Sequence, residues 1–369
     1  MTGTKFSIEV LPASDGDCLW VEWGDSLKPF RMLIDGGRAQ KSKISAPLAE
    51  RIGRADPKRI DLIVATHIDD DHISGLVPFF SDLPAGLEIG DVWFNSLKHL
   101  PASDELGSAS ADRLANALEA QGLPWNANAA WAKTPRHAVV RHPARSLPVI
   151  DIFGLHLTLL SPTIEQLDRL RAEWPAALRA EGMDEDGSAV KEGDVLGYGA
   201  DQTATIPELR RRSLGSDSSK PNASSIAFIA EYEGRTVLFA ADAIAPVIVD
   251  GLRLWRPDGE IRFDAIKMSH HGSENNLSDE LLALVRCHDW LISTDGSLHH
   301  HPNRRAIAHL TWKQPGCRLL FNYRSDMTAE WGQHSLQTKW GFSAVLPDDG
   351  TFGLTYNVLS GEATTGDYK

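Results

Sequence analysis

The run from His67 to His72 concentrates side chains that can bind metal ions. It offers four of them within six residues: His67, Asp69, Asp71 and His72. Carboxylates and imidazoles bind divalent cations of hard or borderline character, and a short loop can direct such ligands at two neighbouring positions. The pattern therefore predicts a metal site, with an acidic, solvated turn that carries helix-capping aspartates as the alternative.

Asp242 is a second candidate, at the end of the apolar segment 238–241. A carboxylate at a strand end can bridge two metal ions, and Asp242 could equally cap a helix that begins near Ala243. His301 closes the histidine run 299–301 and is a third candidate, for which an accidental histidine-rich loop is the alternative. Asp242 and His301 gain weight as ligands only if they lie beside the first run.

His270 and His271 follow a further apolar segment and precede Gly272. Adjacent histidines at the mouth of a strand can supply a metal ligand and a proton donor, and an exposed polar turn is the alternative. All four clusters follow predicted strands, at the edge where open α/β sheets collect their functional groups. The sequence therefore predicts that the clusters converge at one edge of the fold.

The elements that position these clusters are visible in the hydrophobic periodicity. Short apolar segments bounded by turn residues predict strands, and apolar residues about four apart predict helices. Predicted strands cover 61–66, 92–94, 152–160, 265–269, 290–293, 319–322 and 343–346, with a hairpin over 226–241. Predicted helices cover 44–54, 103–121, 164–178, 277–287 and 303–312. Alternation of these elements predicts an α/β fold.

The chain reads as one domain over residues 1–360, followed by a C-terminal tail over 361–369. We predict insertions near 100–150 and 165–220, where no clear period extends through the whole segment. The part from 181 to 220 is polar, charged and rich in glycine, which is typical of a long loop. It could be a plain surface insertion or a lid over the substrate.

Composition excludes several classes of protein. The 369 residues carry a formal net charge of −13, which disfavours binding to long duplex nucleic acid. The three cysteines are widely spaced, so they predict neither a disulfide framework nor a cysteine zinc site. The N-terminus lacks an apolar signal segment, and no apolar run approaches the roughly 20 residues of a membrane span. We therefore expect a cytoplasmic protein with no membrane partner; the oligomeric state is not indicated.

The segment 66–75, Thr-His-Ile-Asp-Asp-Asp-His-Ile-Ser-Gly, resembles the metal motif of the metallo-β-lactamase superfamily. The usual form of that motif is His-x-His-x-Asp-His, and the form with Asp69 in place of the second histidine is similar to the hydrolase domain of the competence protein ComEC. Further matches to this family lie before and after this segment, between residues 6 and about 305, and they occur in the family's order. They are Gly16-Asp17-Cys18, the segment 33–37, the segment 221–226, Ala241-Asp242 where the family usually has Gly-Asp, the segment 267–273, and His301-Pro302.

This resemblance implies an αββα metallo-β-lactamase sandwich with two divalent metal ions at one edge, bridged by Asp242. His67 and Asp69 would hold one ion; Asp71 and His72 would hold the other, together with His301. His270 and His271 would serve as ligand or proton donor, and the resemblance does not separate the two roles. The family often has a further histidine ligand before the bridging aspartate. Four histidines lie in that interval: His99, His137, His142 and His156.

The ligand types also bear on the metal. Asp69 is a harder ligand than histidine and shifts the preference from Zn²⁺ towards Mn²⁺, with Mg²⁺ also possible. The hypothesis is metal-assisted hydrolysis, with Asp71, His270 and His271 as the catalytic candidates. Asp35 and Lys267 are candidates for orienting the ligands or the substrate.

The resemblance favours a phosphodiesterase or nuclease that acts on nucleotides or short nucleic acid. One alternative is a hydrolase of a lactone, thioester or amide bond, because the same metals suit that chemistry. The other is a non-catalytic metal-binding component of a defence or signalling system.

Overall fold

Two large β-sheets lie at the centre of the computed structural model, which describes residues 3–39, 45–100, 109–144, 146–171 and 198–368. The strands are β1 (Thr4–Val10), β2 (Leu19–Asp25), β3 (Lys28–Ile34), β4 (Arg59–Ile60), β5 (Leu62–Val64), β6 (Glu88–Ile89), β7 (Val92–Trp93), β8 (Val149–Ile152), β9 (Leu155–Ser161), β10 (Ala227–Tyr232), β11 (Arg235–Phe239), β12 (Ile261–Lys267), β13 (Val285–Ile292), β14 (Arg318–Phe321), β15 (Ser343–Val345), β16 (Phe352–Asn357) and β17 (Glu362–Tyr368).

The α-helices lie between these strands. They are α1 (Ala46–Gly53), α2 (Asp70–Ile73), α3 (Leu76–Ser81), α4 (Ala109–Gln121), α5 (Tyr198–Thr203), α6 (Ile206–Leu209), α7 (Lys220–Ala223), α8 (Ala245–Trp255), α9 (Asp279–Leu284), α10 (Arg304–Lys313) and α11 (His334–Trp340). Residues 164–171 are also helical. Short 3-10 helices cover Leu97–His99, Trp131–Lys133, Pro135–His137, Ser269–Gly272 and Ala329–Gly332.

Each large sheet is mixed. The first has the order β17-β16-β1-β2-β3-β5-β7, and the second has the order β15-β14-β13-β12-β11-β10-β9-β8. In the first sheet β3, β5 and β7 run parallel, and in the second sheet β11 to β15 run parallel. The carboxyl ends of these parallel strands are where the four predicted clusters begin.

The alternation of side chains along the strands produces four layers. In β10, Phe228 and Ala230 belong to a core cluster shared by both sheets, and Ile229 between them packs on the opposite face with the helices. A strand buried on both faces must be apolar throughout, which explains the continuous apolar run there. Helices α8 and α10 cover the second sheet, and α1, α3 and α4 cover the first. The predicted α/β fold with an αββα sandwich is confirmed.

The C-terminal segment differs from the prediction. Residues 361–369 were expected to be a tail, but β17 pairs with β16, which pairs with β1. The reason is that β17 is an edge strand, whose side chains are mostly half-buried or exposed. Such a strand lacks the apolar alternation on which the prediction relied, and its backbone hydrogen bonds hold it in place.

Two other predicted elements were also wrong in extent. Most of the strand predicted over 152–160 is β9, and its first residues belong to the turn of a hairpin with β8. Phe153 and Gly154 form this turn with positive φ angles of 50° and 86°. The helix over 277–287 stops at Leu284. From Val285 onwards the chain pairs with β12, since its apolar side chains fit a parallel strand equally well.

The second insertion is only partly a loop. Residues 172–197, and with them part of the predicted 164–178 helix and of the 181–220 segment, lie outside the described residues. Residues 198–220 carry the short helices α5 and α6, which pack on α10 through arginine contacts. Arg305 reaches Asp201 at 2.8 Å, and the Arg210 guanidinium donates to the Ala308 carbonyl at 3.1 Å. This segment is therefore attached to the helix that follows His301.

Within the described ranges, no helix combines the length and the apolar character that crossing a bilayer requires.

Candidate metal centre

Four buried side chains from three strand ends meet at the edge shared by the sheets. Asp71 and His72 lie on α2 after β5, Asp242 follows β11, and His271 follows β12; their ligand atoms all lie within 4.8 Å of one another. The His72 Nε2 atom is 3.3 Å from Asp242 Oδ2. The His271 Nε2 atom is 3.4 Å from Asp71 Oδ2 and 3.6 Å from Asp242 Oδ2. We call these four residues the central cluster.

His67 and Asp69 lie next to the central cluster. The His67 Nε2 atom is 3.6 Å from Asp69 Oδ2, and the His67 ring lies 4.2 Å from the His72 ring. Asp69 stands at the N-cap of α2 but makes no capping hydrogen bond through its side chain. The alternative of an acidic turn with capping aspartates therefore does not explain Asp69.

Asp242 does not cap a helix either. Helix α8 begins at Ala245, with Ile244 as its N-cap. The Asp242 side chain is buried and faces the histidines of the central cluster. Of the two interpretations that the sequence left open, the structure removes the helix cap.

Several buried polar atoms at this edge have no hydrogen-bond partner. They are Nε2 of His67, Oδ1 of Asp242, and both ring nitrogens of His301. Buried polar atoms are almost always hydrogen-bonded, so unpartnered imidazole and carboxylate atoms gathered at one place call for a bound cation. The donor set, nitrogen and carboxylate oxygen, is one that Zn²⁺ and Mn²⁺ both accept. The residues present thus fit a divalent metal ion.

Hydrogen bonds on the far side of each ring orient three of these histidines. His72 Nδ1 donates to Asp35 Oδ2 at 2.7 Å, and His271 Nδ1 donates to the Ser293 carbonyl at 2.8 Å. Because the Thr66 hydroxyl donates to Asp35, its oxygen accepts from His67 Nδ1 at 3.0 Å. Each Nδ1 therefore carries a proton, and each Nε2 points into the site, as a metal ligand requires.

The charges in the central cluster balance internally. Burial would raise the pKa of Asp71 and of Asp242, but the neighbouring His72 and His271 lower both pKa values well below their usual range. Burial would lower the pKa of His271, but Asp242 and Asp17 raise it to about 10. The carboxylates therefore retain protons on the imidazoles, and a divalent cation would displace those protons on binding.

Lys267 is too deeply buried to orient a substrate. Its side chain is 1% exposed, and its ammonium donates to Asp17 Oδ2 at 2.6 Å and to the Met268 carbonyl at 3.1 Å. Asp17 Oδ1 also lies 3.4 Å from His271 Nδ1. Of the two sequence-based roles for Lys267, only the orienting of ligands is compatible with this position. Asp17 has no sequence signal of its own for a functional role, although it lies in the matched segment Gly16-Asp17-Cys18.

Asp17, Asp35 and His72 form a second group with the spacing of metal ligands, but their atoms are already used. Asp17 is paired with the Lys267 ammonium. Asp35 accepts from the Thr66 amide, from the Thr66 hydroxyl and from His72. A cation at this position would have to compete with a buried ammonium ion. We therefore interpret this group as support for the central cluster.

The resemblance implied that His301 binds a metal ion together with Asp71 and His72, and this stays a prediction. The histidine whose ligand atom lies within 4.8 Å of theirs is His271, and the ring of His301 lies 5.2 Å from the ring of His270. The His270 Nε2 atom is 3.6 Å from Asp242 Oδ2. The segment between β13 and α10 carries His301 and is held next to the histidine pair, because the Asn303 amide donates to the Gly272 carbonyl at 3.0 Å.

Comparison with protein families bears on the same part of the chain. Residues 30–170, which include the run from His67 to His72, match the family model "Metallo-beta-lactamase superfamily". The matched part contains the first metal motif and ends before Asp242 and His271. A comparison with curated proteins gave no match.

Several solved structures are similar to this chain at low identity. The metallo-beta-lactamase fold protein YhfI from Bacillus subtilis is 9% identical, with a TM-score of 0.39 and coverage of 96% of this chain and 100% of that chain. A mutant of the CmlA beta-hydroxylase is 12% identical, with a TM-score of 0.40 and coverage of 95% of this chain and 54% of that chain. A diphosphatase of the PhnP family is 11% identical, with a TM-score of 0.36 and coverage of 97% and 99%. At these identities and TM-scores, the similarity does not indicate the activity of this chain.

The superfamily's further histidine ligand has no counterpart at this site among the described residues. Of the four candidates, His99 is buried next to Trp125, and its Nδ1 accepts from the Ser96 amide at 3.1 Å. Burial lowers the pKa of His99 to about 3. The ring of His156 lies beside the Asp151 carboxylate. None of the four, including His137 and His142, belongs to the metal-type groups.

Ala241 stands where the matched pattern has a glycine, and the backbone here has a conformation typical of glycine. Ala241, which stands where a glycine is usual, has a φ of 47°, and His270 and His271 have φ values of 46° and 53°. Left-handed conformations at residues other than glycine cost of order 1–3 kcal/mol each and persist where the surroundings enforce them. Ala241 therefore retains the backbone conformation of a glycine and still places Asp242 in the site.

Gly16 provides a test of how closely the two sides of the site pack. A Cβ atom at Gly16 would lie 1.7 Å from the Asp71 carbonyl oxygen, so Gly16→Ala must push Asp17 away from Asp71. We expect the free energy of unfolding in urea to fall by about 1–3 kcal/mol and the affinity for Mn²⁺, measured by calorimetry, to fall as well. In the matched control Gly53→Ala, the added Cβ meets nothing within 4 Å, and stability should stay the same or rise slightly. Equal behaviour of the two variants would contradict the close packing.

Proposed function

We propose that this protein is a metal-dependent phosphodiesterase that acts on nucleotides or short strands of nucleic acid. The observation that carries the proposal is the convergence of Asp71, His72, Asp242 and His271 beside buried ligand atoms that lack partners. In this proposal the central cluster would hold one divalent ion, and His67, Asp69 and Asp242 would contribute ligands to a second. The proposal includes membership of the ComEC-like branch, on the strength of Asp69 within the first motif.

The chain's own residues would bind and orient. Divalent ions, when bound, polarise the scissile bond and lower the pKa of coordinated water. Asp35 and Ser293 hold His72 and His271 with Nε2 directed inwards. The low pKa values of Asp71 and Asp242 keep both carboxylates ionised at neutral pH, so they are ready to bind cations. Burial of the cluster excludes competing water and strengthens these electrostatic interactions.

Two properties support a phosphodiester over a carboxylic substrate. Asp69, in the place of a second histidine, adds a carboxylate oxygen to the candidate ligands, which shifts the preference towards the harder ions that commonly accompany phosphate chemistry. The net charge of −13 opposes long polyanions, so the proposed substrates are short. The proposal is tested against two alternatives. One is hydrolysis of a lactone, thioester or amide bond, and the other is a non-catalytic role.

The decisive experiment compares substrates on one metal-loaded preparation. The protein, loaded in turn with Mn²⁺, Zn²⁺ and Mg²⁺, is assayed with bis(p-nitrophenyl) phosphate, a dinucleotide, an acyl thioester and a lactone. We expect turnover of the two phosphodiesters that is lost in Asp71→Asn and retained in Asp82→Asn, which removes an exposed acid. Turnover of only the thioester or the lactone would overturn the phosphodiester assignment. Metal binding without turnover of any substrate would favour the non-catalytic role.

A further inference from the structure

We infer that the described part of the second insertion completes the metal centre, because Asp217 fixes His270 as a metal ligand through Asn276. This inference rests on the proposed function for the presence of the metal. It assigns the insertion a role other than that of a lid. It also resolves the roles that the sequence left open for His270, which would be a ligand rather than a proton donor.

The Asp217 carboxylate binds two asparagine side chains. Its Oδ2 atom accepts from Asn222 Nδ2 at 2.6 Å and from Asn276 Nδ2 at 2.8 Å. The first of these asparagines belongs to α7, and the second follows the histidine pair. An ionised carboxylate can only accept hydrogen bonds, so both amide groups must turn their nitrogen atoms towards Asp217.

The orientation of Asn276 then determines the tautomer of His270. With its nitrogen directed at Asp217, and donating also to the Asp242 carbonyl at 3.1 Å, Asn276 presents its oxygen to His270 Nδ1 at 2.8 Å. An amide oxygen only accepts, and the Asn222 Nδ2 atom lies farther from the same ring nitrogen, at 3.4 Å, so the shorter contact assigns the proton to His270 Nδ1. In the neutral ring the Nε2 lone pair is therefore free, and it faces Asp242 Oδ2 at 3.6 Å.

His270 thereby acquires the orientation that other groups give to His67, His72 and His271. In all four rings Nδ1 donates away from the site and Nε2 points into it. Metal-binding histidines commonly donate their second ring N–H in this way, and the acceptor sets the tautomer and the ring orientation. A histidine held with Nε2 unprotonated binds a cation well, but in that state it cannot protonate a leaving group.

The insertion is anchored so that Asp217 stays in place. The Asp217 amide donates to the Asn275 carbonyl at 3.0 Å, and Asp217 Oδ1 accepts from the Ser219 amide at 2.7 Å. Further upstream, the Arg305 guanidinium on α10 donates to the Ser213 carbonyl at 3.1 Å. Because α10 begins shortly after His301, the same helix connects the insertion with the loop that carries this histidine.

The test uses metal affinity and a spectroscopic signature, so it does not depend on finding the substrate. Asn276→Ala removes the acceptor of His270 Nδ1, and the isosteric Asp217→Asn removes the carboxylate that orients Asn276. We expect each variant to weaken Zn²⁺ binding, measured by chelator competition, by about 10–100-fold. Asp258→Asn, which removes an exposed acid, should bind as the wild type does. Unfolding in urea identifies any variant that fails to fold.

The tautomer itself can be observed by NMR. In the zinc-loaded protein with ¹⁵N-labelled histidine, long-range ¹H–¹⁵N spectra should show His270 protonated at Nδ1, with the signal assigned from its loss in His270→Gln. A proton on Nε2, or unchanged zinc affinity in both Asn276→Ala and Asp217→Asn, would overturn the inference. If the wild type fails to cleave phosphodiesters but the variants lose zinc affinity, the proposed function fails and this inference stands.

Discussion

Replacing Asp242 with asparagine should lower hydrolysis by about 10³-fold or more and reduce the amount of metal bound per chain. The variant keeps the shape of the side chain but removes the negative charge that faces His72, His270 and His271. Metal ions supply several kcal/mol of transition-state stabilisation, and each 1.36 kcal/mol corresponds to a factor of ten in rate. Turnover of bis(p-nitrophenyl) phosphate and elemental analysis of the dialysed, Mn²⁺-loaded protein measure the two effects.

The matched control for this variant is Asp250→Asn. Asp250 is an exposed acid on α8, a short distance along the chain from Asp242, so its loss changes the net charge equally. We expect its activity to remain within about twofold of the wild type. Full activity and unchanged metal content in Asp242→Asn would show that the central cluster is not the site of hydrolysis.

Replacing Lys267 with methionine should lower the free energy of unfolding by about 3–5 kcal/mol. The change leaves the Asp17 carboxylate buried without its cation, and removal of one partner from a buried ion pair has a cost of this size. Lys267 ends β12 in the second sheet, and Asp17 precedes β2 in the first, so the pair also joins the two sheets below the site. Urea unfolding of the metal-free protein gives the free energy directly.

Two further variants isolate the contribution of this pair. Removing both charges in Lys267→Met with Asp17→Asn should cost less than the sum of the single changes, because no unpaired charge remains. Arg54→Met disrupts an ion pair with Glu50 in which both side chains are about half exposed, at 55% and 49%. Such surface pairs contribute about 0–1 kcal/mol. A cost of similar size in Lys267→Met and Arg54→Met would exclude a structural role for the buried pair.

The sequence was informative where a buried strand is followed directly by side chains that can bind a metal ion. The apolar run before His67 and the one before His270 predicted buried strands, and the structure has β5 and β12 there. Side chains placed directly after parallel strands emerge at one edge of the sheet, and β5, β11 and β12 each belong to a parallel part of their sheets. That is why the segments that carry Asp71, His72, Asp242 and His271 could be expected to converge, although the sequence paired Asp71 and His72 with His301 and did not assign His271 as a ligand.

Contacts between distant segments could not be predicted in this way. Asp17 and Lys267 are 250 positions apart, and nothing in either segment indicates that the two side chains form a pair. Asp217 lies in a polar stretch whose composition is typical of a loop, yet its carboxylate determines how Asn276 is oriented. The strand β17 has no apolar period. In each case a specific pairing across the fold decides the structure, and local patterns contain no information about it.

The position of β1 affects how the protein can fold during synthesis. This strand pairs with β2 on one side and with β16 on the other, so that Ser7 lies opposite Asn357. Until residues 352–357 leave the ribosome, β1 presents an unpaired backbone edge, and exposed edges invite association with other chains. Pairings between such distant residues also form slowly. The first sheet therefore cannot close until β16 and β17 have been made, more than 300 residues after β1 and β2.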